Sequence, residues 1–269
     1  MMDMVKTQLA IGAYSFVAWI VLYLLISTIL RMWARTSHLS DYHRAQVAES
    51  FVSGVQGVAC AVVGVATVSA CRHDVMGAKY PLALYYSSIG TAYFIYDLWA
   101  MYMSHYPKQA RGGPVAFFLS YLHKNVLMIL HHIAIIFVLF PSLVYYSSMG
   151  DFFCGCFFCT ELSTPFVNAR VILSRLGLKN SKLYVVNGLV MLTVFAMCRV
   201  ALFPLMYAAY LSQQTIAPSH IQALLSVPLR CHLSCLVVLA PQIYWLSLMV
   251  KGALAVLRKD ASSLIDKDD

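Results

Sequence analysis

The chain has 269 residues, of which 61% are hydrophobic and only 11% are charged. Soluble domains carry roughly 25% charged residues, so this composition excludes a water-soluble protein. The net charge of +8 would suit a nucleic-acid partner in a soluble protein, but here the basic residues lie at the ends of apolar segments. These segments are continuous and do not alternate like barrel strands. The sequence therefore predicts an all-α, polytopic transmembrane helical bundle.

Seven apolar runs of about 20 residues each match the ~30 Å hydrocarbon layer that a transmembrane helix must cross. In chain order the predicted spans are Leu9 to Leu30, Val47 to Ser69, Pro81 to Met103, Tyr121 to Phe140, Phe152 to Leu173, Leu183 to Ala209 and His232 to Ala253. We divide the chain into an N-terminal signal-anchor span with its loop (1–44), a transmembrane domain (45–255) and a polar tail (256–269). We expect the tail to be irregular from Lys259 onward.

Lysine and arginine are unevenly distributed between the two sides of these spans. Fourteen fall on one side and four on the other, and Arg199 lies within the sixth span. Because basic residues favour the cytosolic side, this imbalance predicts a cytosolic C-terminus and an N-terminus on the opposite side. The basic side would then face the anionic leaflet of the membrane, which requires no nucleic acid.

Two other patterns predict helix packing. Gly54, Gly57, Ala61 and Gly64 repeat every three or four positions in the second span, which predicts close contact with a neighbouring helix. The eight cysteines fall mostly within the spans, and the cluster of Cys154, Cys156 and Cys159 lacks the paired spacing of a structural zinc site, so we interpret the cysteines as small packing residues and not as a disulfide framework. Proline occurs within each of the last three spans, at Pro165, Pro204 and Pro241, where it removes a helical hydrogen bond.

Ionisable side chains stand out at four places well inside the predicted spans, since each costs about 2.5–3.5 kcal/mol near the bilayer centre. They are Asp97, the pair His131 and His132, Glu161, and Arg199. A rise of ~1.5 Å per residue places them roughly 10, 15, 18 and 24 Å from the basic side, in that order. We therefore expect the third, fourth and fifth helices to bring imidazole and carboxylate groups together, with the long side chain of Arg199 reaching toward them.

The histidine pair is the chemically useful element of this set. A histidine can take up and return a proton near neutral pH, and a buried carboxylate can fix its tautomer. Because adjacent residues on a helix point ~100° apart, we expect one of the two histidines to act on substrate while the other braces the site. The alternatives are hydrogen bonding between helices without catalysis, an ion pair between Asp97 and Arg199, and a zinc site. We expect no metal and no cofactor, because no metal-ligand spacing is evident.

The segment from His123 to Leu173 resembles a known family. It contains the paired histidines in LHHIA, a Gly-Asp at the start of the next span, and TELSTPFVNAR within that span, and YFIYDLWAMY precedes it at 93–102. These motifs resemble those of the TLC-domain membrane proteins, the superfamily that includes ceramide synthases, and the likeness covers about residues 45–255. The later stretches KLYVVNGLVMLTVFAMCRVALFPLMYAAY and APQIYW resemble the TLC domain-containing protein 3 subgroup.

The resemblance implies a protein of sphingolipid metabolism in the endoplasmic reticulum membrane or the Golgi, involved in ceramide synthesis. Ceramide synthases transfer an acyl group from acyl-CoA to the amine of a sphingoid base and require their paired histidines. The resemblance places this role on His131 and His132, which Asp97 and Glu161 would orient. Six residues are candidates for substrate binding: Ser163, Thr164 and Asn168 at the oxyanion, Lys124 and Arg170 at the CoA phosphates, and Arg199.

The chain departs from ceramide synthases within the fifth span. Those enzymes have a His-Asp and a further Asp where this chain has Thr160, Glu161, Ser163 and Thr164, so only Glu161 keeps a carboxylate there. This difference supports a second hypothesis, a non-enzymatic lipid-binding regulator or sensor of membrane composition that would act by associating with a ceramide synthase. A transporter is a weaker hypothesis, because the sequence shows no inverted internal repeat.

Overall fold

The computed structural model describes residues 2–33, 36–109, 113–139, 150–213, 220–227 and 229–265. Its helices are α1 (Met2–Met32), α2 (Asp41–Cys71), α3 (Pro81–Gln109), α4 (Gly113–Ala134), α5 (Asp151–Cys159), α6 (Thr164–Arg175), α7 (Lys182–Phe195), α8 (Leu202–Ser212), α9 (His220–Ser226) and α10 (Leu229–Ile265). A 3-10 turn, Thr160–Ser163, joins α5 to α6, and π-helical segments follow α4 at Ile135–Leu139 and α7 at Ala196–Ala201. The predicted span end at Phe140 and the basic residues Arg35, Arg111 and Lys267 lie outside the described residues.

The predicted fold class is confirmed, since the described residues form helices without a strand and build an all-α membrane bundle. Five helical stretches are long and apolar enough to cross a membrane: Asp3–Met32, Asp41–Cys71, Val115–Phe137, Lys182–Ser212 and Cys231–Ala255. The other two predicted spans are also helical. One is the continuous helix α3, and the other is divided into α5 and α6 by the 3-10 turn.

Helix α2 lies at the centre of the bundle and packs against α1, α3, α5 and α6. Toward its N-terminal end, Val47 and Ala48 pack with Leu30 of α1 and Ile172 of α6. Farther along, α2 packs against the aromatic residues of α3 and α5, and its last residue, Cys71, is fully buried. Apolar side chains on the opposite face of α2, such as Val58 and Val62, are more than half exposed, as expected of a surface that faces lipid.

The small residues of α2 allow this close packing. A Cβ atom added at Gly64 would lie 2.7 Å from the backbone nitrogen of Cys159 and 2.8 Å from the carbonyl oxygen of Gly155. At Gly57 the added atom would lie 2.9 Å from the Cβ of Thr164. The predicted ridge therefore contacts α5 and the start of α6, and it holds the 3-10 turn against α2.

Replacing Gly64 with alanine is expected to destabilise the bundle by about 1–3 kcal/mol, because the new methyl group meets backbone atoms of α5 that cannot turn away. The measurement is the thermal unfolding midpoint of the purified protein in detergent. Gly90→Ala is the matched control in α3, where the added Cβ would find its nearest neighbour at an ordinary 3.8 Å. A Gly64→Ala midpoint equal to that of Gly90→Ala would contradict the predicted close contact.

The C-terminal region differs from the expectation of an irregular tail. Helix α10 continues through Lys259 to Ile265. The helix-favouring residues Ala253, Leu254, Ala255 and Leu257 extend the seventh span without a glycine or proline to end it. The polar composition of the tail therefore does not mark the end of the helix.

Candidate functional site

Asp97 and His132 form a buried pair between α3 and α4. His132 Nε2 lies 2.8 Å from Asp97 Oδ2, and the two residues are only 4% and 9% exposed, in that order. The Tyr93 hydroxyl, one turn before Asp97 on α3, donates to Asp97 Oδ1 at 3.0 Å. The ring of Phe94 packs edge-on against the imidazole, with 5.2 Å between ring centroids. These contacts fix both the carboxylate and the ring.

The hydrogen bonds of His132 determine where its protons lie. Nδ1 lies 2.8 Å from the carbonyl oxygen of Met128, which can only accept, so Nδ1 must carry a hydrogen and donate it. Nε2 faces a carboxylate oxygen, so a second proton must lie between Nε2 and Asp97 Oδ2. The pair is therefore arranged around one shared proton, and both ring nitrogens of His132 are occupied by protein partners.

His131 lies beside this pair but points in a different direction, as the helix geometry predicts. Its ring is 5.9 Å from that of His132 and 5.8 Å from that of Trp245 on α10, and both contacts are edge-to-face. It also interacts electrostatically with Glu161 and Arg199. The half-buried imidazole of His131 thus lies beside the Asp97 and His132 pair, and the charges of a second polar cluster, Glu161 and Arg199, act on it.

That second cluster is an ion pair between the 3-10 turn and the π-helical segment after α7. Arg199 donates through Nη2 to Glu161 Oε1 at 3.1 Å and to Thr164 Oγ1 at 2.7 Å. Its Nε donates to Ser163 Oγ at 2.8 Å, and Nη1 lies 3.4 Å from Gln242 Oε1 on α10. The side chains of Arg199 and Glu161 are 11% and 12% exposed. The guanidinium is thus held by acceptors from three helical segments.

Two prolines account for the irregular backbone that carries this ion pair. Pro165 has no N–H for the carbonyl of Glu161, which instead accepts from the N–H of Thr164, as in a 3-10 turn. Pro204 likewise has no N–H for the carbonyl of residue 200, and the helix before it widens into the π-helical segment. Short π-helical segments inside α-helices often lie at functional sites. Here the 3-10 turn carries Glu161 and the π-helical segment carries Arg199, and the two side chains meet at 3.1 Å.

The other predicted binding residues lie around this core. Asn168 Nδ2 donates to Ser53 Oγ at 2.8 Å and joins α6 to α2. Arg170 lies over the ring of Tyr184, 4.3 Å from its centroid, and Lys124 is exposed on α4. The donors of Ser163, Thr164 and Asn168 all have protein acceptors. To donate to an oxyanion, as predicted, these side chains would have to release their present protein acceptors.

The partners of the two carboxylates differ in part from expectation. Asp97 pairs with a histidine, as proposed, whereas the ion-pair partner of Glu161 is Arg199. The alternative that Asp97 pairs with Arg199 is therefore wrong. The eight cysteines are free thiols. Among the described residues, no group of three His, Cys, Asp or Glu side chains is arranged to hold a metal ion.

Three residues of this region were missed at the level of sequence: Tyr93, Gln242 and Trp245. Tyr93 precedes Asp97 by four residues, so the helix period places both on one face of α3. Gln242 is a buried amide directly after Pro241, and Trp245 lies one turn farther along α10. The signal available in the sequence was an amide directly after a proline within an apolar span. The helices that pack against α10 could not be deduced without the fold.

Removing the carboxylate of Asp97 is expected to destabilise the bundle. Asp97→Leu leaves the Nε2 side of His132 buried without a partner and removes the carboxylate that accepts from the Tyr93 hydroxyl, at a cost of about 2–4 kcal/mol. Asp97→Asn is expected to cost less, since its amide can donate to Nε2 while Nδ1 still donates to Met128. Thermal unfolding in detergent compares the variants. Equal midpoints for Asp97→Leu and wild type would rule out the buried pair.

A comparison with protein families agrees with the motif likeness. The family model named for TRAM, LAG1 and CLN8, described as the TLC domain, matches residues 46–251. The matched region begins near the start of α2 and ends within α10, so it contains both polar clusters. No solved structure matches the chain.

Proposed function

Because the chain belongs to the TLC-domain family of membrane proteins, we propose that it acts in sphingolipid metabolism by synthesising ceramide, through N-acyl transfer from acyl-CoA to a sphingoid base. Within the family we place it in the TLC domain-containing protein 3 subgroup, close to member 3B, on the stretches at 182–210 and 240–245. The observation that carries the proposal is the buried, proton-sharing pair of Asp97 and His132 directly beside His131. A braced imidazole next to a second imidazole is what a proton-transfer site requires.

The geometry supports different roles for the two histidines. Both ring nitrogens of His132 are bound by the protein, so His132 is a positioning residue that holds a proton and braces its neighbour. His131 then contacts the substrate, beside the braced imidazole of His132. Glu161 and Arg199 supply a second pair of fixed charges, which acts on His131 electrostatically.

The reaction requires an amine to lose a proton before it attacks. His131 accepts the proton from the protonated sphingoid amine, and the amine attacks the thioester carbonyl carbon. The new C–N bond forms, the C–S bond breaks, and the CoA thiolate leaves and takes this proton from His131. The neutral imidazole then accepts the second proton from the nitrogen of the new amide and passes it to water. In the alternative route, an imidazole nitrogen of His131 first takes the acyl group from CoA, and the amine then displaces it.

Substrate binding follows from the placement of the basic residues. Lys124 lies seven residues before His131, or roughly 10 Å toward the basic end of α4. In this proposal Lys124 and Arg170 bind the phosphates of CoA, whose acyl chain would enter between helices. CoA would then bind on the basic side of the membrane, which is the cytosolic side if the C-terminus is cytosolic as predicted. The proposed location is the membrane of the endoplasmic reticulum or the Golgi.

The test is reconstitution of the purified protein in liposomes that contain no other synthase. With sphinganine and a labelled acyl-CoA, the wild type is expected to form labelled ceramide. The His131→Ala plus His132→Ala double variant is expected to form none above background. Equal product from the two proteins would eliminate the histidine mechanism, and no product from a folded wild type would eliminate the synthase itself.

A second candidate function is a non-enzymatic lipid-binding regulator. The Glu161 and Arg199 ion pair favours it, because the charges are neutralised and held by hydrogen bonds, as in a structural element. Such a protein would copurify with sphingolipid or phospholipid, show no turnover in synthase-free liposomes, and change the output of a ceramide synthase with which it associates. Adding it to a purified ceramide synthase separates the two functions.

A further inference from the structure

A groove on the outer surface of the bundle lies between α2 and α6, away from the histidines. It has a volume of about 520 Å³, and its walls include Phe51, Val55 and Val58 of α2 and Pro165 and Ile172 of α6. The three α2 side chains are 40–52% exposed. The hydrogen bond between Asn168 and Ser53 closes the seam between the two helices. The groove therefore opens outward, toward the surrounding lipid.

Three arginines lie beyond one end of this groove, at the start of α2 and the ends of α1 and α6. Leu30, Val47 and Ile172 belong to one packed group, and Arg31, Arg44 and Arg175 lie one to three residues beyond them toward the same end. Each helix rises ~1.5 Å per residue, so the three arginines lie at similar levels. They outnumber the nearby carboxylates of Asp41 and Glu49, which leaves this end of the groove positively charged.

Unpaired polar atoms mark the same place. The Nε atoms of Arg44 and Arg175 are buried without a hydrogen-bond partner, as is Oε1 of Gln46. Arg44 uses its other nitrogens to bond Asp41 and the carbonyl of Thr36. Arginine binds phosphate through parallel N–H groups, and buried polar atoms normally have partners. A phosphate from outside the chain is an acceptor of the kind that these two arginines lack.

The geometry points to a binding site for an anionic phospholipid, with its phosphate at Arg44 and Arg175, a headgroup donor at Gln46, and one acyl chain in the groove. The distances along α2 fit a molecule with a charged head and an apolar chain. The groove begins at Ser50 and Ile172, roughly 9 Å along α2 from Arg44, and continues for roughly 13 Å to Ala59. The charged cluster thus lies where a headgroup would lie, and the apolar walls lie at the depth of the chain. This inference does not depend on the proposed function.

Phosphatidylserine is a suitable probe, since it offers a phosphate and an ammonium donor. Binding to the delipidated, purified full chain in detergent is measured by native mass spectrometry. The Arg44→Gln plus Arg175→Gln variant is expected to bind at least tenfold more weakly, and Gly54→Leu, which fills the groove, to do the same. Arg72→Gln, at the opposite end of α2, is the control and is expected to bind like wild type.

Photocrosslinking to the wild type keeps the test independent of variant folding. Phosphatidylserine with a diazirine in its acyl chain is expected to label peptides of α2 and α6 around Phe51, Val55 and Ala169. Labelling elsewhere would overturn the site. So would phosphatidylcholine that binds as tightly as phosphatidylserine, or a long-chain acyl-CoA that occupies the groove when phosphatidylserine does not.

Discussion

Arg199→Leu is expected to lower the free energy of unfolding by about 3–5 kcal/mol, which is the typical cost of leaving one partner of a buried ion pair unpaired. The variant strands the carboxylate of Glu161 at 12% exposure and removes the donors on which Ser163, Thr164 and Gln242 depend. Such a loss is a large part of the 5–15 kcal/mol that stabilises a typical protein. Thermal unfolding in detergent and the yield of monodisperse protein are the measurements.

The double variant Glu161→Leu plus Arg199→Leu distinguishes pairing from simple loss of a side chain. Replacing both members of a buried ion pair with apolar residues is often close to neutral. The double variant is therefore expected to recover most of the lost stability. Arg170→Leu, which removes a guanidinium that stacks on Tyr184 and has no buried ion pair to lose among the described residues, is the matched control and is expected to cost about 1 kcal/mol or less. A double variant no more stable than Arg199→Leu would argue against the ion pair.

His131→Ala is expected to lower the rate of ceramide formation by roughly 10²- to 10⁴-fold, the usual contribution of a positioned proton-transfer group. His132→Ala is expected to lower it less, by roughly ten- to a hundredfold, since it removes a charge-assisted hydrogen bond that positions its neighbour. Initial rates in synthase-free liposomes, at saturating acyl-CoA and sphinganine, are the measurement. Both effects are expected in kcat, because neither histidine holds the CoA phosphates.

The controls separate positioning from folding. His132→Gln keeps an amide that can donate to Asp97, so it is expected to recover part of the rate lost in His132→Ala. Thermal midpoints of all variants show that the proteins compared are folded. The assignment of roles fails if His132→Ala is the more damaging variant, or if His131→Ala stays within threefold of wild type.

The sequence predicted the bundle and one of the polar pairs for a simple physical reason. Hydrophobic length determines where helices lie, and the rise per residue then determines how deep each side chain lies. Asp97 and His132, estimated to lie within roughly 5 Å of each other in depth, are indeed in contact. The same reasoning located the glycine ridge of α2, because the helix period alone determines which residues share a face.

The same estimate led us to expect Arg199 to reach toward the buried groups, but it did not identify Glu161 as its partner. The depth estimate separated Glu161 from Arg199 by roughly 6 Å because it assumed an unbroken α-helix in both spans. The 3-10 turn and the π-helical segment change the rise and the direction of the side chains, and the long stem of Arg199 covers the remaining distance. The sequence contained the cause, in Pro165 and Pro204, but did not show whether each proline would kink, end or widen its helix.

The contribution of α10 was beyond pattern reasoning. Gln242 and Trp245 face Arg199 and His131 because α10 packs beside α7 and its π-helical segment, and this neighbour relation is a property of the whole bundle. The roles proposed for His131 and His132 likewise depend on Met128 and Asp97, which bind both ring nitrogens of His132.

A π-helical segment amounts to one extra residue accommodated within an α-helix. Deleting a single residue from 196–201 would let α7 continue into α8 as a regular α-helix. Because the wider turn accommodates the extra residue, the two flanking helices would keep nearly the same relative orientation, whereas the side chains within the segment, Arg199 among them, would change direction. The length of this segment, and not only the identity of its arginine, therefore determines whether the guanidinium faces Glu161.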